Sequence, residues 1–369
     1  MERTVGEWID SGRAFVMFRE PGDSFVRAVS TRSEALQRLT DMSGLRDKDG
    51  FVFAPFKASE DCPLWLLPIE EERRFTLSHD YDDVPEAPAP VTTEETLCDQ
   101  PSEDYAQTFQ TYQSALKAHE FDKLVLARRQ TVGMPSGFSW ARAFGVACRR
   151  YVHSYVYLFY TPQTGFWLGA TPEILLSGGT GRFRTVALAG TQVLSDEVRR
   201  PEWSEKNRYE QQLVADFIAD VLQTAGIKAE TNGPMTITAG SLAHLKTEFS
   251  FELRNSEQAV DLLCALHPTP AVCGAEKVKA YEFISSHEDC PRAYYSGFLG
   301  RWNPNGTTSL YVNLRCMSGD INGALSLYAG GGLLAVSKLE EEWMETERKL
   351  QTMKYVIEKC IQIKEISCN

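Results

Sequence analysis

The sequence predicts an α+β fold with much antiparallel pairing between its strands. Many strand-like runs follow one another across turns that are too short for the crossover helix that parallel neighbours need. One long amphipathic helix is predicted over residues 201–225. No internal repeat with a period of about 20 to 50 residues is visible. With 369 residues, 43% of them hydrophobic, the chain is long enough to bury a large core.

The N-terminal part of the chain is predicted to be strand-rich. A helix is expected at Ser33–Met42, and short strands surround it. These strands are Arg13–Phe18, Gly50–Phe56 and Leu64–Ile69. Residues 78–104 are rich in proline and acids and poor in large apolar residues, which predicts a linker or a long surface loop. The chain thus divides into an N-terminal part, 1–104, and a longer region, 105–369.

The longer region alternates irregularly between strands and helices. Its predicted strands are Lys123–Ala127, Tyr155–Tyr160, Phe166–Ala170, Tyr294–Arg301, Ser309–Cys316 and Ala324–Tyr328. Gly330–Gly332 predict a glycine-rich turn after the last strand, where backbone can approach a ligand closely. Ser337, with Glu340 three residues later, predicts a capping box that opens a helix.

Charge and cysteine content argue against several classes of protein. With 50 acidic and 38 basic residues the net charge is −12, and no Lys/Arg-rich segment suits nucleic acid or an anionic membrane. The nine cysteines form no C-x-x-C pair, which argues against a disulfide framework and a zinc ribbon. There is no apolar run of membrane-spanning length and no signal-type N-terminus, so a cytoplasmic protein is expected. Nucleotide-binding glycine motifs and the G-x-S-x-G elbow are also absent.

Acidic residues on two predicted helices form a candidate metal site. Glu342, Glu345 and Lys349 share one helix face, and Glu210 extends the buried stripe of the helix over 201–225. A carboxylate in a buried stripe is costly unless it is paired or bound to a metal, and oxygen-rich clusters suit Mg²⁺. The alternatives are a solvated charged face and a helix end that frays into solvent.

Lys123 and Glu173 are candidates for proton transfer. Lys123 opens a strand, and as a base it would need a pKa lowered by burial or by a neighbouring cation; the alternative is a solvated lysine at a sheet edge. Glu173 lies in an apolar run, where burial would raise its pKa toward that of a general acid. Its alternative is an exposed turn acid after Pro172.

Other residues suit a pocket for an anionic small molecule. Ala189, Gly190 and Thr191 supply a small residue, a glycine and a hydroxyl in a row, as a pocket wall would. Arg315 interrupts an apolar strand and could clamp a carboxylate through two hydrogen bonds. His244 and the segment 266–274 are further candidates. Taken singly, each of these is more often structural.

Together these segments resemble the chorismate-utilising enzymes, which include isochorismate, salicylate, anthranilate and aminodeoxychorismate synthases. The resemblance runs in order from about residue 105 to 355 through FDKLVLARR, LGATPEILL, ALAGT, SEKNRYEQQLV, HLKT, LHPTPAVCG, RAYYSGFLG, YVNLRC and YAGGGL with ETERK. It implies a single large α+β domain of two packed, mainly antiparallel sheets flanked by helices, with the site in a cleft between them. Residues 105–369 become the chorismate-binding catalytic region, and 1–104 pack into the same domain.

The resemblance also implies a role for each candidate. Lys123 would activate a water, and Glu173 would protonate the departing C4 hydroxyl. Glu210 and Glu345 would hold a Mg²⁺ ion that binds the ring carboxylate of chorismate, and Glu342 would reach the ion through water. The implied substrate contacts are Gly190, Thr191, His244, Ala271, Tyr295, Arg315, Gly330 and Lys349. Of these, Arg315 and Tyr295 would lie on the enolpyruvyl carboxylate side.

Three positions discriminate among members of the family. Ala189 stands where aminodeoxychorismate synthases carry a lysine nucleophile, so water is the expected nucleophile. Lys123 supplies a base that anthranilate synthases typically lack, and Ala271 stands where salicylate synthases tend to have threonine. The implied activity is therefore Mg²⁺-dependent isomerisation of chorismate to isochorismate, by water attack at C2 with loss of the C4 hydroxyl.

Two alternatives to this activity stay open. One is salicylate synthase, which eliminates pyruvate from the same intermediate, and the other is a catalytically inactive relative that acts as a binding protein. Gln192 departs from the basic residue often found there, which bears on substrate affinity. Chorismate is the expected small-molecule partner, and the chain is expected to act as a monomer without a glutaminase subunit. Its product would serve menaquinone or siderophore biosynthesis.

Overall fold

Strands make up most of the framework in the computed structural model, which describes residues 1–77, 98, 100–193, 202–239, 242–288, 290–321 and 323–366. In chain order they are β1 (Arg13–Arg19), β2 (Phe25–Arg32), β3 (Gln37–Leu39), β4 (Gly50–Ala54), β5 (Leu64–Leu67), β6 (Glu71–Thr76), β7 (Leu124–Val132), β8 (Tyr155–Thr161), β9 (Gly165–Thr171), β10 (Ile174–Gly179), β11 (Arg182–Val193), β12 (Ala229–Ala239), β13 (Leu242–Glu252), β14 (Phe298–Trp302), β15 (Thr307–Val312), β16 (Cys316–Gly319) and β17 (Leu325–Leu333).

These strands form two sheets in which neighbouring strands run antiparallel. The first has the order β6-β2-β1-β8-β9-β16-β17-β7, and the second has the order β12-β13-β11-β10-β15-β14-β4-β5-β3. Strands from the N-terminal part enter both sheets. An aromatic core packs between the sheets, where the ring of Phe53 in the second sheet stacks on that of Phe159 in the first at 4.0 Å. The predicted fold class is confirmed.

Helices cover the outer faces of both sheets. In chain order they are α1 (Glu2–Asp10), α2 (Glu103–Lys117), α3 (Trp140–Arg150), α4 (Glu205–Thr224), α5 (Ser256–Leu266), α6 (Lys277–His287) and α7 (Leu339–Ile366). Apolar faces of α1, α3 and α7 pack on the first sheet, and those of α4 and α5 pack on the second. No helix in the described part of the chain is both long and apolar enough to cross a membrane.

Helix α4 forms where its sequence pattern predicts it. The Ser204 hydroxyl caps the helix by accepting a hydrogen bond from the Asn207 amide at 3.2 Å. Val214, Ile218 and Leu222 recur at intervals of four residues and are buried against the second sheet. This packing fixes the rotation of the helix about its own axis. The rotation in turn sets the direction in which the side chains of its first two turns project.

The prediction of a helix at Ser33–Met42 is wrong. The segment holds a turn, then β3, and a single turn of 3₁₀ helix follows at Met42–Leu45. The Arg32 carbonyl accepts hydrogen bonds from two amides of the turn, and β3 pairs with β5 in antiparallel register. Pairing with a distant strand thus overrides the local helix preference.

The glycine-rich turn predicted at Gly330–Gly332 is also wrong, because the glycines lie inside β17. They pair with β7 in the register Gly330 to Ala127 and Gly332 to Val125. Glycine at 332 leaves room for the Glu210 side chain, since a Cβ atom there would come within 2.3 Å of Glu210 Oε1 and displace it. The glycine run therefore lets side chains from other elements close over the strand.

The capping box predicted at Ser337 and Glu340 does not form. Helix α7 begins at Leu339, two residues after Ser337. The Ser337 hydroxyl instead accepts a hydrogen bond from the Leu334 amide at 3.1 Å and donates one to Glu342 Oε1 at 2.6 Å. The Glu342 carboxylate, one turn into the helix, thus binds the serine hydroxyl. This contact holds the Glu342 side chain close to β17.

Candidate active site

A cleft opens beside β7, β11 and β17, next to the N-terminal turns of α4 and α7. Its cavity volume is about 80 Å³. Most of the residues singled out in the sequence line it, namely Glu173, Gly190, Glu210, His244, Ala271, Tyr295, Arg315, Gly330, Glu345 and Lys349. Thr191 lies in β11 opposite His244, but its side chain falls outside the described part of the structure.

Lys123 is fully buried at the start of β7. Its side chain is 0% exposed, and its Nζ lies 2.9 Å from Glu210 Oε1, although the angle is not that of a hydrogen bond. The Lys123 carbonyl accepts a hydrogen bond from the Ala275 amide at 3.0 Å, which fixes the backbone behind the amine. The residue is therefore not the solvated edge lysine that its position in the sequence allowed.

Glu173 is buried between β9 and β10, with 5% of its surface exposed. Its carbonyl accepts the Val312 amide at 2.9 Å, and its amide donates to the Thr171 hydroxyl at 3.3 Å. Burial raises the pKa of the carboxyl group to about 7, against the opposing charges of Lys123, Lys349 and Arg315. At neutral pH the group is therefore partly protonated. Its burial shows that Glu173 is not the exposed turn acid that the sequence also allowed.

Three carboxylates gather beside the glycines of β17, and each is paired with a lysine. Glu210 pairs with Lys123, and Glu342 pairs with Lys206. The pKa of the buried Glu342 carboxyl is raised by burial and then by repulsion from Glu345. Burial would also raise the pKa of Glu345, but Lys349, 2.7 Å away, leads the charges that lower it.

The chemistry of these acids fits a hard cation such as Mg²⁺. The Oε2 atom of Glu342 is buried and has no hydrogen-bond partner among the described residues, and it would lie 3.2 Å from a Cβ atom at Gly331. A buried acceptor left unpaired is costly, and a cation would satisfy it. Among the described residues no group of three or more His, Cys, Asp or Glu side chains is already arranged to hold a metal. The lysines would therefore have to release the carboxylates first.

Arg315 offers a site for a carboxylate. The residue adopts a left-handed backbone conformation, φ +49°, in the break between β15 and β16, so the predicted strand Ser309–Cys316 is two strands. Its half-buried guanidinium lines the cleft and makes no hydrogen bond or ion pair with another described residue. Guanidinium groups bind carboxylates in a forked geometry. Lys349 adds charge nearby, while its Nζ donates to the Gly330 carbonyl at 2.6 Å.

Neutral groups complete the wall of the cleft. His244 Nδ1 lies 3.1 Å from the carbonyl of Gly190, which takes φ +70° at an irregularity in the β11–β13 register. Burial lowers the pKa of His244 to about 4, so the ring is neutral at pH 7. The Tyr295 ring stacks on that of Tyr328 at 5.6 Å. β14 begins only at Phe298, so the predicted strand Tyr294–Arg301 starts as a turn, which carries Tyr295.

Lys206 belongs to this site and was missed in the sequence analysis. It lies one helical turn before Glu210 on α4, so both side chains project from the same face. Burial would lower the pKa of Lys206, but Glu342 outweighs it and raises the pKa. The spacing of Lys206 and Glu210 could have indicated the residue, but its partner Glu342 lies 136 positions away.

Comparison with known proteins agrees with this geometry. Residues 56–358, well over half of the chain, match the profile of the chorismate binding enzyme family. The chain belongs to that family. The chorismate binding enzyme is 32% identical to isochorismate synthase EntC of Escherichia coli K12 over 246 residues, 63% of this chain and 62% of that one. It is 36% identical to isochorismate synthase DhbC of Bacillus subtilis 168 over 195 residues, 50% of this chain and 49% of that one. The alignments thus span less than two thirds of either relative.

A solved structure shows the same fold as this chorismate binding enzyme. The crystal structure described as a putative 2,3-dihydroxybenzoate-specific isochorismate synthase, DhbC, from Bacillus anthracis superposes with a TM-score of 0.76. It is 24% identical and covers 97% of this chain and 99% of that chain. At this identity the likeness establishes the two-sheet architecture, which includes the N-terminal strands.

Proposed function

We propose that this chain is an isochorismate synthase, which converts chorismate into isochorismate with the help of Mg²⁺. One observation carries the proposal: a buried acid with a pKa of about 7, Glu173, lines the cleft together with the Arg315 guanidinium, and the buried amine of Lys123 lies 2.9 Å from Glu210, which lines the same cleft. The names of EntC and DhbC, both isochorismate synthases, support it. The reaction needs one proton acceptor, one proton donor and a binding site for a dianion.

In the proposed reaction Lys123 is the base and Glu173 is the acid. Lys123, in its neutral form, takes a proton from the water that adds to C2 of the ring. The ring double bond shifts, and the C4 hydroxyl leaves as water with the proton of Glu173. One water enters and one leaves, so the reaction is an isomerisation. Proton exchange then returns Lys123 and Glu173 to their starting states.

The remaining groups hold the substrate. Arg315, with Tyr295 beside it, would bind the enolpyruvyl carboxylate, because the guanidinium has no other partner among the described residues. Glu210 and Glu345 would hold Mg²⁺, with Glu342 reaching it through water, and the ion would supply positive charge for the ring carboxylate. Local charge of this kind is needed because the protein as a whole carries −12. We propose that the chain works as a monomer without a glutaminase subunit.

Activity should fall on the alkaline side of neutrality. Glu173 donates a proton only in its protonated form, and its pKa of about 7 means that it loses this proton as the pH rises through 7. We therefore expect kcat/KM, which reports the free enzyme, to decline by roughly tenfold per pH unit well above the pKa of Glu173, over the pH range in which the base Lys123 does not itself change charge. The measurement is the rate of isochorismate formation at limiting chorismate across about pH 6 to 9. Near-normal turnover by Glu173→Gln, with the same pH profile as the unmutated protein, would remove Glu173 from the role of acid.

The product mixture tests the proposed function and separates it from salicylate synthase. Ala271 lies on the cleft wall and offers only a methyl group, whereas a hydroxyl there could help hold the enolpyruvyl group for pyruvate elimination. We expect purified protein with chorismate and Mg²⁺ to form isochorismate and little salicylate, measured by NMR or fluorescence at neutral pH. Ala271→Thr should raise salicylate formation without altering the need for Lys123. Salicylate as the main product of the unmutated protein would favour salicylate synthase, and no turnover would favour an inactive relative.

A further inference from the structure

A buried ion pair lies behind the cleft wall, outside the proposed chemistry. Only 3% of the Arg292 side chain and 7% of the Glu288 side chain are exposed. Arg292 Nε donates to Glu288 Oε2 at 2.6 Å, and a second hydrogen bond joins Arg292 Nη2 to Glu288 Oε1. Two parallel hydrogen bonds fix both the distance and the orientation of such a pair.

The pair adds to the hydrogen bonds at the outer edge of β7. This strand is last in the first sheet, and among the described residues its outer edge makes one antiparallel bridge, between Leu124 and Gly274, with the Val125 amide donating to the Cys273 carbonyl at 2.7 Å. The Val125 carbonyl accepts from Arg292 Nη2 at 2.7 Å, and the Ala127 amide donates to Glu288 Oε1 at 2.9 Å. One donor and one acceptor, two residues apart, are what a paired strand would offer. The ion pair therefore continues the hydrogen bonding of this edge from the bridge at Gly274 to Ala127.

Arg292 also holds two other parts of the cleft wall, one through its guanidinium and one through its backbone carbonyl. Arg292 Nη1 donates to the Val272 carbonyl at 2.6 Å, beside Ala271. The Arg292 carbonyl accepts from the Tyr295 amide at 2.9 Å, which forms the turn that carries the Tyr295 ring. The Arg292 side chain thus joins the start of β7 to the loop at 271–272, and its backbone joins both to the turn before β14.

We propose that Arg292 and Glu288 are positioning residues that hold Lys123 in place relative to Ala271 and Tyr295. The proposal rests on the proposed function, because it assigns the pair a role in placing the base. Lys123 is two residues before Val125, so a shift of β7 relative to the loop moves its amine. Misplacement of a reacting group by about 1 Å can cost roughly 100-fold in rate. Lysine cannot replace Arg292, since a point charge lacks the fork that reaches both carbonyls and the carboxylate.

Kinetics of Arg292→Lys, alone and combined with Lys123→Ala, test the proposal. Arg292→Lys should lower kcat by roughly tenfold or more while KM changes by less than about twofold, because the base moves while Arg315, which binds a carboxylate of the substrate, stays. In the Lys123→Ala background Arg292→Lys should cause no further loss, since the group it positions is gone. Glu288→Gln keeps an acceptor for the Ala127 amide and should cause a smaller loss. If Arg292→Lys does not fold, the kinetics of Glu288→Gln still test the proposal.

A matched control separates positioning from general destabilisation. Arg19 is 2% exposed and also donates to two backbone carbonyls, those of Tyr151 and Ser154, away from the cleft. Arg19→Lys should leave kcat within about twofold of the unmutated protein and should show the same loss in both backgrounds. Equal fold losses for Arg292→Lys with and without Lys123, or an equal loss of kcat in Arg19→Lys, would overturn the proposal.

Amide hydrogen exchange adds a measurement that needs no activity. The Ala127 amide should exchange faster in Arg292→Lys than in the unmutated protein, and Arg19→Lys should leave it unchanged. Unchanged exchange at Ala127 in Arg292→Lys would contradict the positioning of β7 by the ion pair. If the unmutated protein does not turn over chorismate, the proposed function fails, and the exchange result still reports whether the pair holds the strand.

Discussion

Replacing Lys123 by alanine is expected to lower kcat at least about 100-fold, the usual cost of losing a positioned proton-transfer group. The nearby amines are hydrogen-bonded elsewhere: Lys206 Nζ donates to Glu342 and Lys349 Nζ donates to the Gly330 carbonyl, whereas Lys123 Nζ makes no hydrogen bond with a described residue. The measurement is the initial rate of isochorismate formation at saturating chorismate and Mg²⁺. Thermal unfolding of the variant should show that it remains folded, because Glu210 keeps access to solvent when its partner is removed.

The control for this prediction is Lys338→Ala. Lys338 is exposed and pairs with the neighbouring Glu341 on the surface, so its removal should leave kcat unchanged. Near-normal turnover by folded Lys123→Ala would show that another group accepts the proton.

Chelation of divalent cations is expected to abolish activity, and added Mg²⁺ should restore it while the protein stays folded throughout. In the absence of metal the three carboxylates are neutralised by lysines, so the fold does not depend on the ion. For the same reason Mg²⁺ should bind weakly until chorismate adds its own carboxylate. Glu210→Gln and Glu345→Gln should each remove one ligand and raise the Mg²⁺ concentration needed for half-maximal rate.

The matched control lies on the same helix as Glu345. Glu341 is exposed and pairs with Lys338, so Glu341→Gln should leave the dependence on Mg²⁺ unchanged. Titration of Mg²⁺ by calorimetry, with and without chorismate, gives a measurement independent of turnover. Full activity in excess chelator, or tight binding of Zn²⁺ to these carboxylates, would defeat the assignment of Glu210 and Glu345 as magnesium ligands.

Local patterns in the sequence were sufficient where a single segment carries the information. Helix α4 follows from the apolar period of four residues at Val214, Ile218 and Leu222, and its rotation brings Glu210 toward the first sheet. Glu173 lies in a run apolar enough to predict its raised pKa. The ordered motifs were specific enough to predict the family, because each keeps its residue types close together.

Local patterns failed where a distant strand or side chain competes. Gly330–Gly332 have the composition of a turn, but the edge of β7 offers hydrogen bonds that extend β17 through them. Ser337 has the spacing of a capping residue, but Glu342 takes its hydroxyl. In both places a contact made only on folding outweighs a local preference.

By itself the sequence determined the fold class, the family and the residue types available for chemistry, since these depend on periodicity and on short ordered motifs. Only the tertiary structure decided how those charges are combined. It buried Lys123 against Glu210, 87 positions later, and it left the Arg315 guanidinium without a hydrogen-bond partner among the described residues. The physical reason is that the charge state of a side chain depends on its burial and on its nearest opposite charge. Both are set by which elements pack together, not by neighbours along the chain.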